Sequence, residues 1–575
     1  WSNIGLEDTQ SIARVVVHPT NPDIVYVAAM GHLFGPNDER GLFKSIDGGK
    51  TWKKVLFVNN FTGATDVVIN YTNPKIMFAA MYQRVRTGWG YNGGIPNGGA
   101  GIYQSTDGGD SWKRLTAPGL PTNPILGRIA LAISRSNPKV VMAQIEVGAS
   151  AGEGANVDDN GGPVKQGDLT LTAGQTNVSD NAPAAGGRGG RGGGGGGGGG
   201  RGNQAPPDPN KSGIWRSEDG GLTWKFSVNN DTRPMYYTQL RIDAKNDQVV
   251  WTGGLNITRS MDGGKTFQNL NASHTDNHAL WIDPNDGRHV LIGHDGGLEV
   301  TYSGQSPRVT WDKLSNFNVG LFYAVSADMR RPYHVCGGLQ DNGSSCGPSR
   351  RRNGQLQMTD WFQVGSADGL QTAQDWADPD NVYYTTQGGN IFRRNLATGE
   401  NASARARTVT RQQFGQQIAA IKGDGTTPLT ADQRKQIDDI RAQMKTQLAD
   451  PSVATRWNWN APFIVSHHNP NVVYTGAEKL FKSVEQGANP RAISGDLTRA
   501  TEEWIRIAGG FDANGNAALD ASGGITRDAT GAEENSTLVN IVESPIRAGL
   551  LYTGSDDGRV MLTRNDGGTW EDLSD

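Results

Sequence analysis

The feature that most constrains this chain is an eight-residue pattern that keeps returning. Ser45-Ile46-Asp47-Gly48-Gly49-Lys50-Thr51-Trp52 is followed by Ser105-Thr106-Asp107-Gly108-Gly109-Asp110-Ser111-Trp112, and again at 217–224 and 260–267, where Phe267 replaces the Trp. Ser483-Val484-Glu485-Gln486-Gly487 is a degraded copy. Asp566-Gly567-Gly568-Thr569-Trp570 reads as another, one residue short. The physical reading is a hairpin turn. Asp bonds backbone N–H groups two residues on, Gly-Gly supplies the positive φ of a tight turn, and the aromatic packs where the next strand begins. Four clean copies make a repeat protein.

A second motif precedes each turn: an apolar strand, an Asn-Pro turn, then another apolar strand. The clearest cases are 12–29 around Asn21-Pro22, 65–80 around Asn73-Pro74 and 128–144 around Asn137-Pro138. Weaker versions start near 239, 278, 323, 370, 463 and 539. Each unit reads as four antiparallel strands, which is one propeller blade, so the fold class is an all-β propeller. Nine units fit between Ser11 and Asp575. Residues 1–6 read as the last strand of a tenth, as if the chain were a piece of a longer array. Two tandem rings of seven-bladed type are expected, a part of one over 1–316 and of the other over 317–575, with one ten-bladed ring as the alternative.

Three insertions break the period. Residues 89–101 are Gly-rich. Residues 147–212 contain an almost pure Gly/Arg tract at 186–202, which has nothing apolar to bury. Residues 411–450 have helical character, with Thr430 and Gln433 as a capping box opening a helix over 433–448. Lys plus Arg number 54 and Asp plus Glu 58, a net charge of −4 that argues against nucleic acid as the main partner. No run of 18 apolar residues forms a transmembrane segment. Cys336 and Cys346 flank a short turn and read either as a local disulfide or as two thiols.

Blade topology sorts the loops. If the first strand starts at one edge, every Asn-Pro turn and every eight-residue turn lies at the opposite edge. Ligand groups then come from the remaining loops, as do all three insertions. Those loops supply Arg233 and Tyr236, His274, Asp276 and His278, His294 and Asp295, Gln340, Asp341 and Asn342, and Trp459. This polar, acidic and aromatic mixture suits a peptide or glycan. His274, Asp276 and His278 alternate onto one face of an extended chain and with His294 contain metal-ligand chemistry, but spacing specifies no full ligand set, so no metal or cofactor is expected. Asp295 and Asp341 are the candidate acid and base should the protein cleave polysaccharide. Otherwise each caps its own Gly-rich turn.

The Ser-x-Asp-Gly-Gly-x-Thr-Trp pattern resembles the BNR or Asp-box repeat of sialidase, sortilin and xyloglucanase propellers. Taken whole, the chain resembles a bacterial family of secreted tandem-repeat proteins, sortilin-like or glycosyl-hydrolase-like. The carrying stretches are 16–19, 25–35, 233–237, 278–284 and 337–343. The resemblance implies a propeller and a secreted, periplasmic or cell-surface location. It implies either a binding protein for peptide or glycan or, as in xyloglucanase-like propellers, a hydrolase with paired Asp residues. Asp295 lies in a context similar to one of that pair.

Overall fold

The computed structural model describes residues 2–32, 37–87, 90–93, 98–147, 208–230, 237–317, 319–406, 414, 417–418, 420–421, 429–448, 455–501 and 535–574. Among these are nine antiparallel sheets, each with four strands in sequence order, and in one of them a short fifth strand, Gly90–Gly93, pairs with the second. Blade 1 consists of Ser11–Val17, Val25–Gly31, Gly41–Ser45 and Lys53–Leu56. Blades 2 to 9 span 62–114, 126–228, 239–269, 277–314, 322–365, 372–403, 463–492 and 538–572. This is the all-β, bladed propeller architecture that the repeats predict. The chain divides into two compact units, Trp1–Ser315 with five blades and Asn316–Asp575 with four.

The repeated turn closes by a bond pattern longer in reach than expected. Asp47 accepts the Ser45 hydroxyl (2.8 Å), the Thr51 N–H (2.9 Å) and the Thr51 hydroxyl (2.6 Å), so it ties residues four apart, not two. Ser45 Oγ in turn accepts the Gly49 N–H at 2.8 Å. Gly48 and Gly49 have φ of 71° and 89°, where a side chain would strain the backbone. The last copy is not short. Gly567 donates to the Thr563 hydroxyl (2.9 Å) and Thr569 N–H to Asn565 (2.9 Å), so Asn565 stands where the four clean copies have Asp. Asp566 takes the first glycine's place at φ 56°. The reading that starts at Asp566 is out of register by one residue.

Each turn is bonded to the first turn of its own blade. Gly48 N–H reaches Asp23 O at 2.9 Å, Gly108 reaches Lys75, Gly220 reaches Lys139 and Gly263 reaches Gln248. Both turns therefore share one edge of every such sheet, and the other loops emerge at the opposite edge.

Within each unit, consecutive blades stack through apolar faces. Tyr26, Ala28 and Leu42 of blade 1 pack with Ala64, Val67 and Ile69 of blade 2, and blades 2 and 3 repeat this with Phe78, Ala80, Ile129 and Leu131. One cross-strand pair, from the second and third strands, recurs at the stacking face near the turn edge. It is Tyr26 with Lys44, Phe78 with Gln104, Met142 with Arg216, Trp251 with Arg259, Cys336 with Cys346, Tyr383 with Arg393 and Tyr474 with Lys482. The cation locks onto the next blade. Lys44 Nζ donates to Gly108 O at 2.8 Å, Arg216 to Asp247 O at 3.0 Å, Arg259 to Gly304 O, Arg393 to the Gln486 side chain, and Lys482 to Asp566. In blade 6 the pair is a disulfide between Cys336 and Cys346, both fully buried.

Two readings are corrected. Residues 2–10 contain no strand. They lie along the blade 1 turn, where Trp52 Nε1 donates to Ile4 O at 2.9 Å, and pair with no sheet among the described residues. The helix is Ala431–Leu448, two residues longer at its start than expected. The capping box is formed, with Gln433 N–H on Thr430 Oγ1 (3.2 Å) and Thr430 N–H on Gln433 Oε1 (2.9 Å). Residues 148–207, including the Gly/Arg tract, lie outside the described residues.

Candidate functional site

The candidates group within each unit. In the first unit the stretch before blade 5 and the loop after that blade's second strand, Val290–His294, come to the same edge. Asn277 pairs with His294 across the first two strands, which brings the two loops together. His278 Nε2 lies 3.1 Å from Asp295 Oδ1. Both remain accessible, with side chains 44% and 27% exposed. The Tyr237 ring meets the His278 ring edge to face at 4.9 Å, and the Tyr237 hydroxyl donates to Asp276. Asp276 holds φ at 66°, an unusual backbone for a residue with a side chain. Its N–H is tied to Leu255 O at 3.1 Å, which anchors the backbone at that position.

Behind this surface lies a second layer. The His274 ring stacks on His294 with centroids 5.6 Å apart. A Cβ on Gly296 would fall 2.7 Å from the His274 ring, so only glycine lets that ring lie over the loop. His294 Nδ1 accepts the Gly296 N–H at 3.0 Å, which puts the ring proton on Nε2, facing Glu299 Oε1 at 3.4 Å. That approach is an electrostatic contact without hydrogen-bond alignment. Glu299 also accepts the Ser273 N–H at 3.0 Å, and so holds the start of the loop. His294 and Glu299 side chains are buried.

Electrostatics distinguish the layers. Burial pushes the His294 imidazole below its ordinary value, against the opposing pull of Glu299, so it is neutral at pH 7. Burial pushes the Asp295 carboxyl up. His278 opposes this, and the neighbouring Asp276 charge adds to it. Among the described residues no group of three or more His, Cys, Asp or Glu is arranged to hold a metal ion. The imidazoles are turned instead to carboxylates, a carbonyl and each other.

In the second unit, Gln340, Asp341 and Asn342 form a tight turn. Asn342 donates through its side chain to Gln340 O at 2.9 Å. Asp341 has φ 58°, and its N–H donates to Asp368 Oδ1 at 2.7 Å. Asp368 also accepts the Gln387 side-chain amide. Trp459 joins the neighbourhood through its carbonyl, which accepts the Gly388 N–H at 3.0 Å.

Arg233 and Tyr236 lie outside the described residues. Tyr237, Glu299 and Asp368 were not singled out from the sequence. Tyr237 sits in the quoted stretch 233–237, one residue from the chosen tyrosine. Glu299 stands where blade 1 has Phe43, in the Gly-Leu-x-x-Ser/Thr third strand, and a charge on an inward strand position was the available signal. Buried or half-buried carboxylates that fasten loops recur elsewhere. Glu146 accepts Arg128 N–H, Glu478 accepts Arg456 N–H, each at 2.7 Å, and Asp556 accepts Thr537 N–H at 2.9 Å.

The chain is thus a bladed β-propeller protein with polar, His- and Asp-rich loops at the edge away from its repeated turns. No protein-family model and no curated protein matches it. Among solved structures it is similar to a GH74 enzyme of Niastella koreensis, at 12% identity and TM-score 0.36 over 98% of this chain and 78% of that one. It is similar to the GH74 xyloglucanase from Xanthomonas campestris, at 13% identity and TM-score 0.37 over 98% and 77%. It is also similar to YCF48 from Cyanidioschyzon merolae, at 12% identity and TM-score 0.29 over 70% and 98%.

Proposed function

We propose that this is an exported binding propeller of the Asp-box type that holds a peptide or glycan at the blade 5 edge. The observation that carries the reading is the accessible His278–Asp295 pair, set beside Asp276 and the Tyr237 ring on a buried His294–Glu299 support. It offers a donor, acceptors and an aromatic edge within one surface, the mixture that orients a polar ligand. The neighbouring carboxylates are engaged by protein donors, as in a preorganised recognition surface. The Cys336–Cys346 disulfide supports export, since such bonds persist in oxidising compartments. Glycan and peptide arrays test the reading. Binding that Asp295→Asn and His278→Gln both weaken supports it, and no binding on either array rejects it.

One observation favours a second reading. The Asp295 carboxyl is raised, with Asp276 close enough to contribute, which is how a general acid is kept protonated beside an ionised partner. In that reading Asp295 donates a proton to a glycosidic oxygen and Asp276 serves as the second carboxylate. Cleavage of any polysaccharide in a panel, abolished by Asp295→Asn, establishes the hydrolase and displaces the binding reading.

A further inference from the structure

We propose that the cleft between blades 2 and 3, at the repeated-turn edge, binds the alkylammonium of a lysine side chain from a partner polypeptide. The argument comes from the recurring cross-strand pair. Between blades 1 and 2, Tyr26 and Lys44 both donate to the carbonyl of Gly108, each at 2.8 Å, and Lys44 also reaches Asp110 at 2.7 Å. Between blades 2 and 3 the same pair is Phe78 and Gln104. The aromatic ring occupies the equivalent position. Phe78 lies 2.9 Å from a Cβ built on Gly221, as Tyr26 lies 2.8 Å from one built on Gly109. Its hydroxyl and the cation are both missing. No donor among the described residues reaches the carbonyl of Gly220, the counterpart of Gly108.

At this junction lies a cleft of about 510 Å³, lined by both blades. Ile76, Ile133 and Leu222 make its accessible apolar walls over the buried Phe78 and Val141, with Gln104 and Gly220 among its polar groups. A four-carbon chain ending in an ammonium fits this chemistry. The methylenes replace those of Lys44 against the apolar wall, and the ammonium supplies the donor that Gly220 O lacks. The turn carboxylate of Asp219, held at about 2 by its bonds to Thr223 and Ser217, adds a negative charge at the cleft. Lys139 also lines the cleft, on an exposed position, and its charge makes an anionic ligand the competing outcome to exclude.

The test titrates Nα-acetyl-lysine N-methylamide into the full chain. The expected result is saturable binding with Kd of about 1–10 mM, the scale of a single side chain. The norleucine counterpart, which keeps the chain and lacks the ammonium, is expected to bind about ten-fold more weakly or worse. The variant Phe78→Tyr with Gln104→Lys rebuilds the pair of blade 1 and fills the cleft. It is expected to melt higher than the parent and to lose at least about ten-fold in affinity for the lysine probe. Should it fail to fold, Gln104→Lys alone, at a half-buried position, carries the same comparison. Equal binding of the norleucine probe, tighter binding of the glutamate counterpart, or affinity untouched by Gln104→Lys overturns the proposal. Binding of cadaverine without the lysine probe also overturns it, in favour of a free diamine.

Discussion

Converting the blade 1 pair into the blade 2 pair measures what the recurring lock contributes. Tyr26→Phe removes one neutral hydrogen bond to the Gly108 carbonyl, a cost of about 1 kcal/mol. Lys44→Gln removes a charge-assisted bond to the same oxygen, about 1.5 kcal/mol. The ion pair with Asp110 adds little, because the Asp110 side chain is 65% exposed. Each single change leaves the carbonyl one donor. The double change leaves a half-buried carbonyl with none, a further penalty of about 1 kcal/mol. The total is about 3–4 kcal/mol, and the double variant exceeds the sum of the singles by about 1 kcal/mol. At roughly 2–4 °C per kcal/mol, calorimetry should show the first-unit transition falling by roughly 6–16 °C. The Tyr26 phenol is pushed up to about 12 by burial and by Asp110. A raised value means its bond is present below the ordinary tyrosine range and lost only as pH rises through about 12. The effect must therefore be the same at pH 6 and pH 9. Strict additivity, or a double variant melting with the parent, refutes the shared-acceptor reasoning.

Two further outcomes follow from the repeats. In Asp262, burial opposes ionisation, but bonds from Thr266, Ser260 and the Lys265 N–H outweigh it and hold the carboxyl at about 2. A lowered value stabilises above the ordinary carboxylate range and is lost as pH falls. Asp262→Ala should lower Tm by a few degrees at pH 7, and the gap should close between about pH 4 and pH 2 in pH-dependent melting. Replacing residues 148–207 by a short Gly/Ser linker should move Tm by no more than a few degrees. Ile145 already pairs with Gly213, and Val147 N–H reaches Ser212 Oγ at 3.0 Å. A fall above about ten degrees in a melting curve contradicts this.

The blades were legible because two local chemistries repeat with them. Asn-Pro turns and Asp-Gly-Gly turns each fix a hairpin within ten residues, so all nine first strands were located to within about three residues of their observed starts. The last turn was misplaced because Asp566-Gly567-Gly568 imitates the motif, while Thr563 and Asn565 make the actual bonds. The locking pair escaped notice because it joins different blades, and its chemistry changes from cation to amide to disulfide while its position stays fixed. The site was half legible. Loop topology brought His274, Asp276, His278, His294 and Asp295 onto one edge. Glu299 is invisible to that logic, since it lies inside a strand and reaches the loops from beneath. The Gln340–Asn342 turn illustrates the opposite limit, for its sequence spells both a turn and a carboxylate site, and only Asp368 reveals what anchors it.

Asp295 allows a functional carboxylate to be told from a structural one. Its raised carboxyl arises first from burial, with His278 working against the rise and Asp276 with it. A raised value means the folded state prefers the protonated form. The favourable contribution is present below the ordinary carboxylate range and is lost as pH rises through the folded value. Wherever Asp295 is ionised, the folded protein holds that charge at a cost, which the half-exposed contact to His278 only partly offsets. Asp295→Asn mimics the protonated group at nearly the same size. It should melt at or slightly above the parent at pH 7 and together with it near pH 3.5, while affinity for whatever ligand the arrays identify falls about ten-fold or more. Stability kept or gained with function lost is the signature of a charge maintained for use. A variant that instead melts several degrees lower at pH 7, with that deficit persisting at pH 3.5, makes the His278–Asp295 contact a structural strut and removes the blade 5 edge as the binding site.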